Sequence, residues 1–101
     1  MNVFLDDTRP QPEGYVGVKT TKQAIEALRK HSIQILSLDY DLGRGMPKGI
    51  EVVRFMVRHS KYPNHIILHT ANPIGRRRMY DLLMAHKPDR VKVTIHPLPW
   101  I

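Results

Sequence analysis

Four aspartates define the chemistry open to this chain. Asp6 and Asp7 are adjacent, and Asp39 and Asp41 lie two apart. Residues two apart in extended backbone point the same way. Each group closes an apolar run, Val3-Phe4-Leu5 before the first and Ile33 to Leu38 before the second. Carboxylates brought close together repel and raise one another's pKa unless a cation or a proton intervenes. Hard oxygen ligands suit magnesium, manganese or calcium. Asp6, Asp7, Asp39 and Asp41 are therefore the expected ligands of one divalent ion, magnesium or manganese.

A second group of residues suits an anion and its protons. His69-Thr70-Ala71-Asn72 follows another apolar run, and His96 precedes Pro97 after the last one. Thr70 and Asn72 offer donors to phosphate oxygens. A helix opening near Asn72 adds unpaired backbone N–H groups and a positive dipole end. Arg76 falls in its first turns and is expected at the same anion. Arg9, just after the acid pair, suits either the site or a structural ion pair. His69 and His96 are the candidates for proton transfer. His69 equally suits a metal ligand or a buried, hydrogen-bonded residue. His31, His59, His65 and His86 sit at expected helix or loop ends, where capping or surface roles fit. The glycines at 43, 45 and 49 miss the dinucleotide fingerprint, and no Walker A loop, His-Glu-x-x-His or Gly-x-Ser-x-Gly motif is present.

The elements that must position these groups alternate along the chain. Val3 to Leu5 reads as a short buried strand and Tyr15 to Val18 as another. Pro10-Gln-Pro-Glu-Gly14 between them is a loop. Thr20-x-x-Gln23 is a capping box opening a helix with Ala24, Ile25 and Leu28 on one face. Ile33 to Leu38 is a central strand, apolar almost throughout because both faces are covered. A Gly/Pro-rich loop follows from Asp39 to Lys48. Ile50, Val53, Met56 and Val57 mark a second helix, and His65 to Leu68 a further strand. Asn72-Pro73 caps a third helix, with Met79, Leu82 and Leu83 as its core face. Val91, Val93 and Ile95 alternate with Lys92 and Thr94, as in an edge strand. Strands separated by helices imply parallel pairing with right-handed crossovers. Ligands of such sheets bind beyond the carboxyl ends of the strands, where Asp6, Asp39, His69 and His96 all fall.

Composition sets outer bounds. One domain spanning residues 1–101 is expected. The absence of cysteine excludes disulfides and thiolate-held metals. The N-terminal run lacks a basic leader and meets acids at once, and no apolar stretch approaches the roughly 20 residues of a membrane span. A soluble, cytoplasmic protein with no membrane partner is expected. The net charge of +7 suggests an anionic partner. Residues 1–43 hold six of nine acids, and the remainder holds eleven of sixteen bases. The basic C-terminal half is thus the expected face for nucleic acid.

The order of these motifs resembles the receiver domain of bacterial response regulators. In that family the acid pair and the central Asp bind magnesium, the central Asp accepts a phosphoryl group, and a threonine and a lysine contact its oxygens. Asp6, Asp7, Asp39, Thr70 and Ala71 match in place. The lysine is replaced by His96, and only about ten residues separate the first two strands, too few for the first receiver helix. These departures are similar to the cyclic-phosphate processing receiver-like domains, through Leu5-Asp6-Asp7-x-Arg9-x-x-Pro12, Leu38-Asp39-Tyr40-Asp41-Leu42-Gly43 and His69-Thr70-Ala71-Asn72-Pro73-x-Gly75 with Met79 beyond. The resemblance implies an α/β, three-layer, flavodoxin-like domain of about five parallel strands, with a loop in place of the first helix. It also implies metal-assisted handling of a cyclic or terminal phosphate, on a phosphorylated small molecule or an RNA end.

Three functions follow as expectations. The first is a metal-dependent phosphoesterase, a hydrolase in which Asp39, His69 or His96 does the covalent or proton chemistry and Arg9, Thr70, Asn72 and Arg76 hold the phosphate. The second is a non-catalytic basic module for nucleic acid or a protein. The third is a signalling receiver phosphorylated on Asp39, which the missing lysine and helix disfavour.

Overall fold

The computed structural model describes residues 1–96, so the expected His96-Pro97 pair is described only as far as His96. The elements run β1 (Asn2–Leu5), β2 (Val16–Val18), α1 (Thr21–Lys30), β3 (Ile35–Leu38), α2 (Ile50–His59), β4 (His65–Leu68), α3 (Pro73–His86) and β5 (Lys92–Ile95). All five strands are parallel, in the order β2-β1-β3-β4-β5. This is the flavodoxin-like order, whose switch point lies between β1 and β3. The expected receiver-like α/β fold is therefore the fold observed.

The helices start where local chemistry ends the preceding loop. Thr20 Oγ1 accepts the Gln23 amide at 3.2 Å, and Gln23 Oε1 accepts the Thr20 amide at 3.2 Å, so the capping box of α1 closes both ways. Asn72 Oδ1 accepts the amides of Ile74 and Gly75 at 3.0 and 3.1 Å, and Pro73 takes the first helical position of α3. Such a cap contributes about 1 kcal/mol. Helix α2 has no side-chain cap and ends at Ser60, whose φ of 49° is left-handed.

One strand face carries the core. Val3, Leu5, Leu36, Leu38, Ile66 and Leu68 form a single cluster with Ala24 and Leu28 of α1, Val52, Val53 and Met56 of α2, and Met79 and Leu83 of α3. The three crossovers all step the same way across the sheet, so right-handedness puts all three helices on this face. The step from β1 to β2 runs the other way, and no helix fills it. A loop over residues 6–15 supplies the third layer instead. Gln11 lies over Gly17 so closely that a Cβ there would sit 2.9 Å from its Cδ, and Tyr15 meets Phe4 edge-on at 6.3 Å. The alternate strand residues Phe4 and Ser37, outside the main cluster, face this side.

Candidate active site

Register alone gathers the site. Leu5, Leu38, Leu68 and Ile95 occupy one row across the sheet. The next row is therefore Asp6, Asp39, His69 and His96. Ladder bonds hold it, from the amides of Asp39, His69 and His96 to the carbonyls of Leu5, Leu38 and Leu68, each at 3.0 Å. One oxygen of Asp6, one of Asp39 and one ring nitrogen of His69 lie within 4.8 Å of each other.

Asp6 is the structural hub. Its Oδ1 accepts the amides of Thr8 and Arg9, both at 2.9 Å, and the Thr8 hydroxyl at 3.2 Å. These bonds fold the start of the 6–15 loop back over the strand end. Its Oδ2 meets His69 Nε2 at 3.1 Å, and His69 Nδ1 meets Ser37 Oγ at 2.6 Å. All three side chains are buried. Burial pushes the Asp6 carboxyl up, but the Arg9 and Thr8 amides and His69 outweigh it, and the group titrates below its ordinary value. Burial also pushes His69 down, against the pull of Asp6 and Asp39, so the neutral imidazole is favoured. An ionised Asp6 only accepts hydrogen bonds, so Nε2 carries the proton and Nδ1 accepts from Ser37. The His69 ring is held in place by a parallel stack on Phe4, with ring centres 4.4 Å apart and planes 5° from parallel.

Asp39 stands at the centre. Burial pushes its carboxyl up, the Thr70 hydroxyl opposes this, and the neighbouring Asp6 charge adds to it; the net direction is upward. Its Oδ1 also accepts the Tyr40 amide at 2.7 Å. A cleft of about 320 Å³ opens over it, lined by Asp7, Arg9, Asp41, Gly43, Thr70 and Asn72 among others. Asp7 is half-buried there without a protein partner among the described residues. Asp41 is exposed at the rim. Asn72 Nδ2 donates to its Oδ2 at 3.0 Å and Lys48 Nζ lies 3.1 Å from its Oδ1, and together they hold the carboxyl below its ordinary value.

The structure brings Asp7, Arg9, Asp39, Asp41, Thr70 and Asn72 together around this cleft, with Asp6 directly behind. It does not bring Arg76 there. The Arg76 guanidinium donates to the Thr70 carbonyl at 3.3 Å and faces a separate hollow beside Tyr80 and Ile95. The helical turn that carries Arg76 leads its side chain away from the opening marked by Asn72. His69 is close but sealed behind Asp6, and both ring nitrogens are engaged. His96 is exposed and two strands from Asp39, outside the cleft lining. His65, expected at an element end, opens β4 and bonds Thr94 Oγ1 at 2.8 Å. Sequence reasoning passed over Ser37 and Thr8. Ser37 had a signal, as the one polar residue in Ile35-Leu36-Ser37-Leu38.

The donor set fits a hard cation in its carboxylates. Asp7 lacks a protein partner among the described residues, and Asp39 is destabilised as an anion, so both gain from a positive ion. His69 does not fit, because its proton faces Asp6 and its other nitrogen is taken.

A family model described as the cyclic-phosphate processing receiver domain matches residues 1–85. The chain belongs to that family. The match spans β1 through nearly all of α3 and so includes every cleft-lining residue of this cyclic-phosphate processing receiver domain. No curated protein matches the chain. Among the described residues, no helix is long and apolar enough to cross a membrane.

Proposed function

We propose that this cyclic-phosphate processing receiver domain is a metal-dependent phosphoesterase acting on a cyclic or terminal phosphate of a nucleotide or RNA. One observation carries the reading. Asp7, with no protein partner among the described residues, and the central Asp39 share a cleft with Arg9 and with the Nδ2 donor of Asn72. Cation ligands and anion donors thus face one volume large enough for a phosphate and part of its ribose.

Asp7 and Asp39 would hold a magnesium or manganese ion, with Asp6 behind them and Asp41 at the rim. Such an ion, when bound, neutralises phosphate charge and lowers the pKa of bound water. Arg9 orients the phosphate, Asn72 does so from the opening turn of α3, and the Thr70 hydroxyl steadies Asp39. Hydrolysis of a 2′,3′-cyclic phosphate forms one P–O bond from water and breaks one P–O bond to ribose. Asp39, at the centre of the cleft, takes the proton of the attacking water. The departing ribose oxygen takes its proton from solvent. His69 acts through Asp6, as a positioning residue that fixes the carboxylate's orientation.

Phosphoryl transfer to Asp39 itself, as in a signalling receiver, is the weaker reading, because His96 replaces the lysine and lies outside the cleft. The test is turnover of 2′,3′-cyclic nucleotides with manganese or magnesium. Release of the monoester, abolished in Asp39→Asn, is expected. No turnover of any cyclic nucleotide with either metal would overturn the proposal, and a labile phosphoryl adduct from acetyl phosphate, seen in the intact mass, would favour the receiver reading.

A further inference from the structure

At the opposite edge of the sheet, where the strands begin, lies a cavity of about 700 Å³. Its walls come from three chain segments that converge by topology. The last turn of α1 and its cap give Arg29, Lys30 and His31, the turn after α2 gives Lys61 and Tyr62, and the approach to β5 gives Arg90. Leu28 and Ile33 add apolar surface. No carboxylate lines it among the described residues. Glu26 pairs with Arg29 and Lys30 at 3.8 and 3.2 Å from outside the lining, in exposed pairs worth little.

Helix-dipole complementarity accounts for Arg29 and Lys30, in the last turn of α1. It does not account for Arg90, which follows the end of α3 by several residues. Arg90 donates to Asn64 Oδ1 at 3.4 Å, Asn64 donates to Gln34 Oε1 at 2.5 Å, and Lys61 Nζ donates to the Arg29 carbonyl at 3.3 Å. These long contacts draw Arg90 and Lys61 toward a shared opening without fixing them. One phosphate needs one or two of them. Four permanent charges and a histidine around this volume match several consecutive phosphates. Half-buried Tyr62 supplies an aromatic surface on which a base can stack.

We infer that this cavity is a second binding site, which grips the backbone of single-stranded nucleic acid. It draws on residues from both halves of the chain, so the grip is not a property of the basic C-terminal half alone. Four-residue strands at about 3.3 Å per residue set it about 13 Å from the carboxylate row. Binding here does not depend on chemistry in the cleft.

The test is fluorescence anisotropy with a labelled ten-nucleotide oligouridylate, in EDTA so that the cleft is silent. The double variant Lys61→Glu/Arg90→Glu is expected to weaken binding at least tenfold. Its slope of log affinity against log salt should fall by about 1.4, or about 0.7 for each lost phosphate contact. The control Lys22→Glu/Arg78→Glu changes net charge equally at exposed positions on α1 and α3 outside the cavity, and should keep its affinity within about twofold. Circular dichroism melts confirm that both variants fold. The inference is overturned if the wild type does not bind, if the cavity variant binds as the wild type does, or if the control loses as much. Polyglutamate competing as well as unlabelled RNA would also overturn it, in favour of an acidic protein partner.

Discussion

The two edges of the sheet hold charges of opposite sign and hold them differently. At the carboxyl edge, Asp6 is buried and bound by two backbone amides, a hydroxyl and His69, and Asp39 is half-buried. At the amino edge, Arg29, Lys30, Lys61 and Arg90 are exposed on long side chains. The first edge has fixed geometry, which the proposed chemistry at one phosphorus atom needs. The second has adaptable charge, which suits a flexible polyanion whose affinity is mostly electrostatic. A carboxylate that strand register places cannot shift without moving the sheet, whereas an exposed lysine moves at almost no cost.

Substitutions that separate the edges test this contrast. The largest effect is expected at Asp39. Asp39→Asn should lower turnover of a small cyclic nucleotide by about 10²–10⁴-fold, since it removes the proposed base. The same variant should bind the oligonucleotide in EDTA within about twofold of wild type. Equal loss of both would merge the two sites into one.

Metal linkage comes next. Magnesium at about 100 times its dissociation constant should stabilise the wild type by about 2.7 kcal/mol, read as a rise in Tm, and leave Asp39→Asn nearly unchanged. The pH dependence of the metal-free protein follows from the two shifts. Asp39 has a raised folded pKa, so its contribution is favourable below the ordinary value of 3.8 and is lost as pH rises through the folded value. Asp39→Asn in EDTA at pH 7 should therefore melt above the wild type. Asp6 has a lowered folded pKa, so its contribution is present above 3.8 and is lost as pH falls through the folded value. Acid melts of wild type against Asp6→Asn should converge as pH falls.

A smaller effect is expected at Gly75, which lies against the Tyr40 ring so closely that an added Cβ would overlap it. Gly75→Ala should destabilise the fold by about 1–3 kcal/mol in urea unfolding and impair the cleft. RNA binding at the amino edge should persist at temperatures where the variant is folded. The smallest effect is expected for Asp41→Ala, which removes an exposed pair with Lys48 worth about 0–1 kcal/mol. A large loss of turnover there would make Asp41 a metal ligand of the first importance and redraw the cleft.

Much of this arrangement was legible in the sequence, and the reason is the short range of its signals. The Thr20–Gln23 box and the Asn72-Pro73 start are local hydrogen-bond chemistry, and both helices begin there. His65 to Leu68 forms a strand with the expected bounds, while the expected strand from Ile33 begins only at Ile35, although Ile33 and Gln34 already bond across to neighbouring segments. The row of Asp6, Asp39 and His69 follows from parallel pairing once the strands are right. Side-chain direction was not legible. Arg76 falls in the opening turn of the expected helix, yet its rotation about the axis takes it elsewhere. The Ser37–His69–Asp6 chain depends on which face each residue takes across three strands. The basic cavity is assembled from loops far apart in sequence, which a count of charges per half cannot show.

The contact between Gly75 and Tyr40 has a consequence for how the cleft keeps its width. Asn72 and Asp41 face each other across the opening, and their hydrogen bond looks like the clasp. Yet the backbone of α3 at Gly75 rests directly on the aromatic ring one residue before Asp41. The gap is therefore gauged by a hard steric stop, and the polar clasp can open without letting the walls collapse.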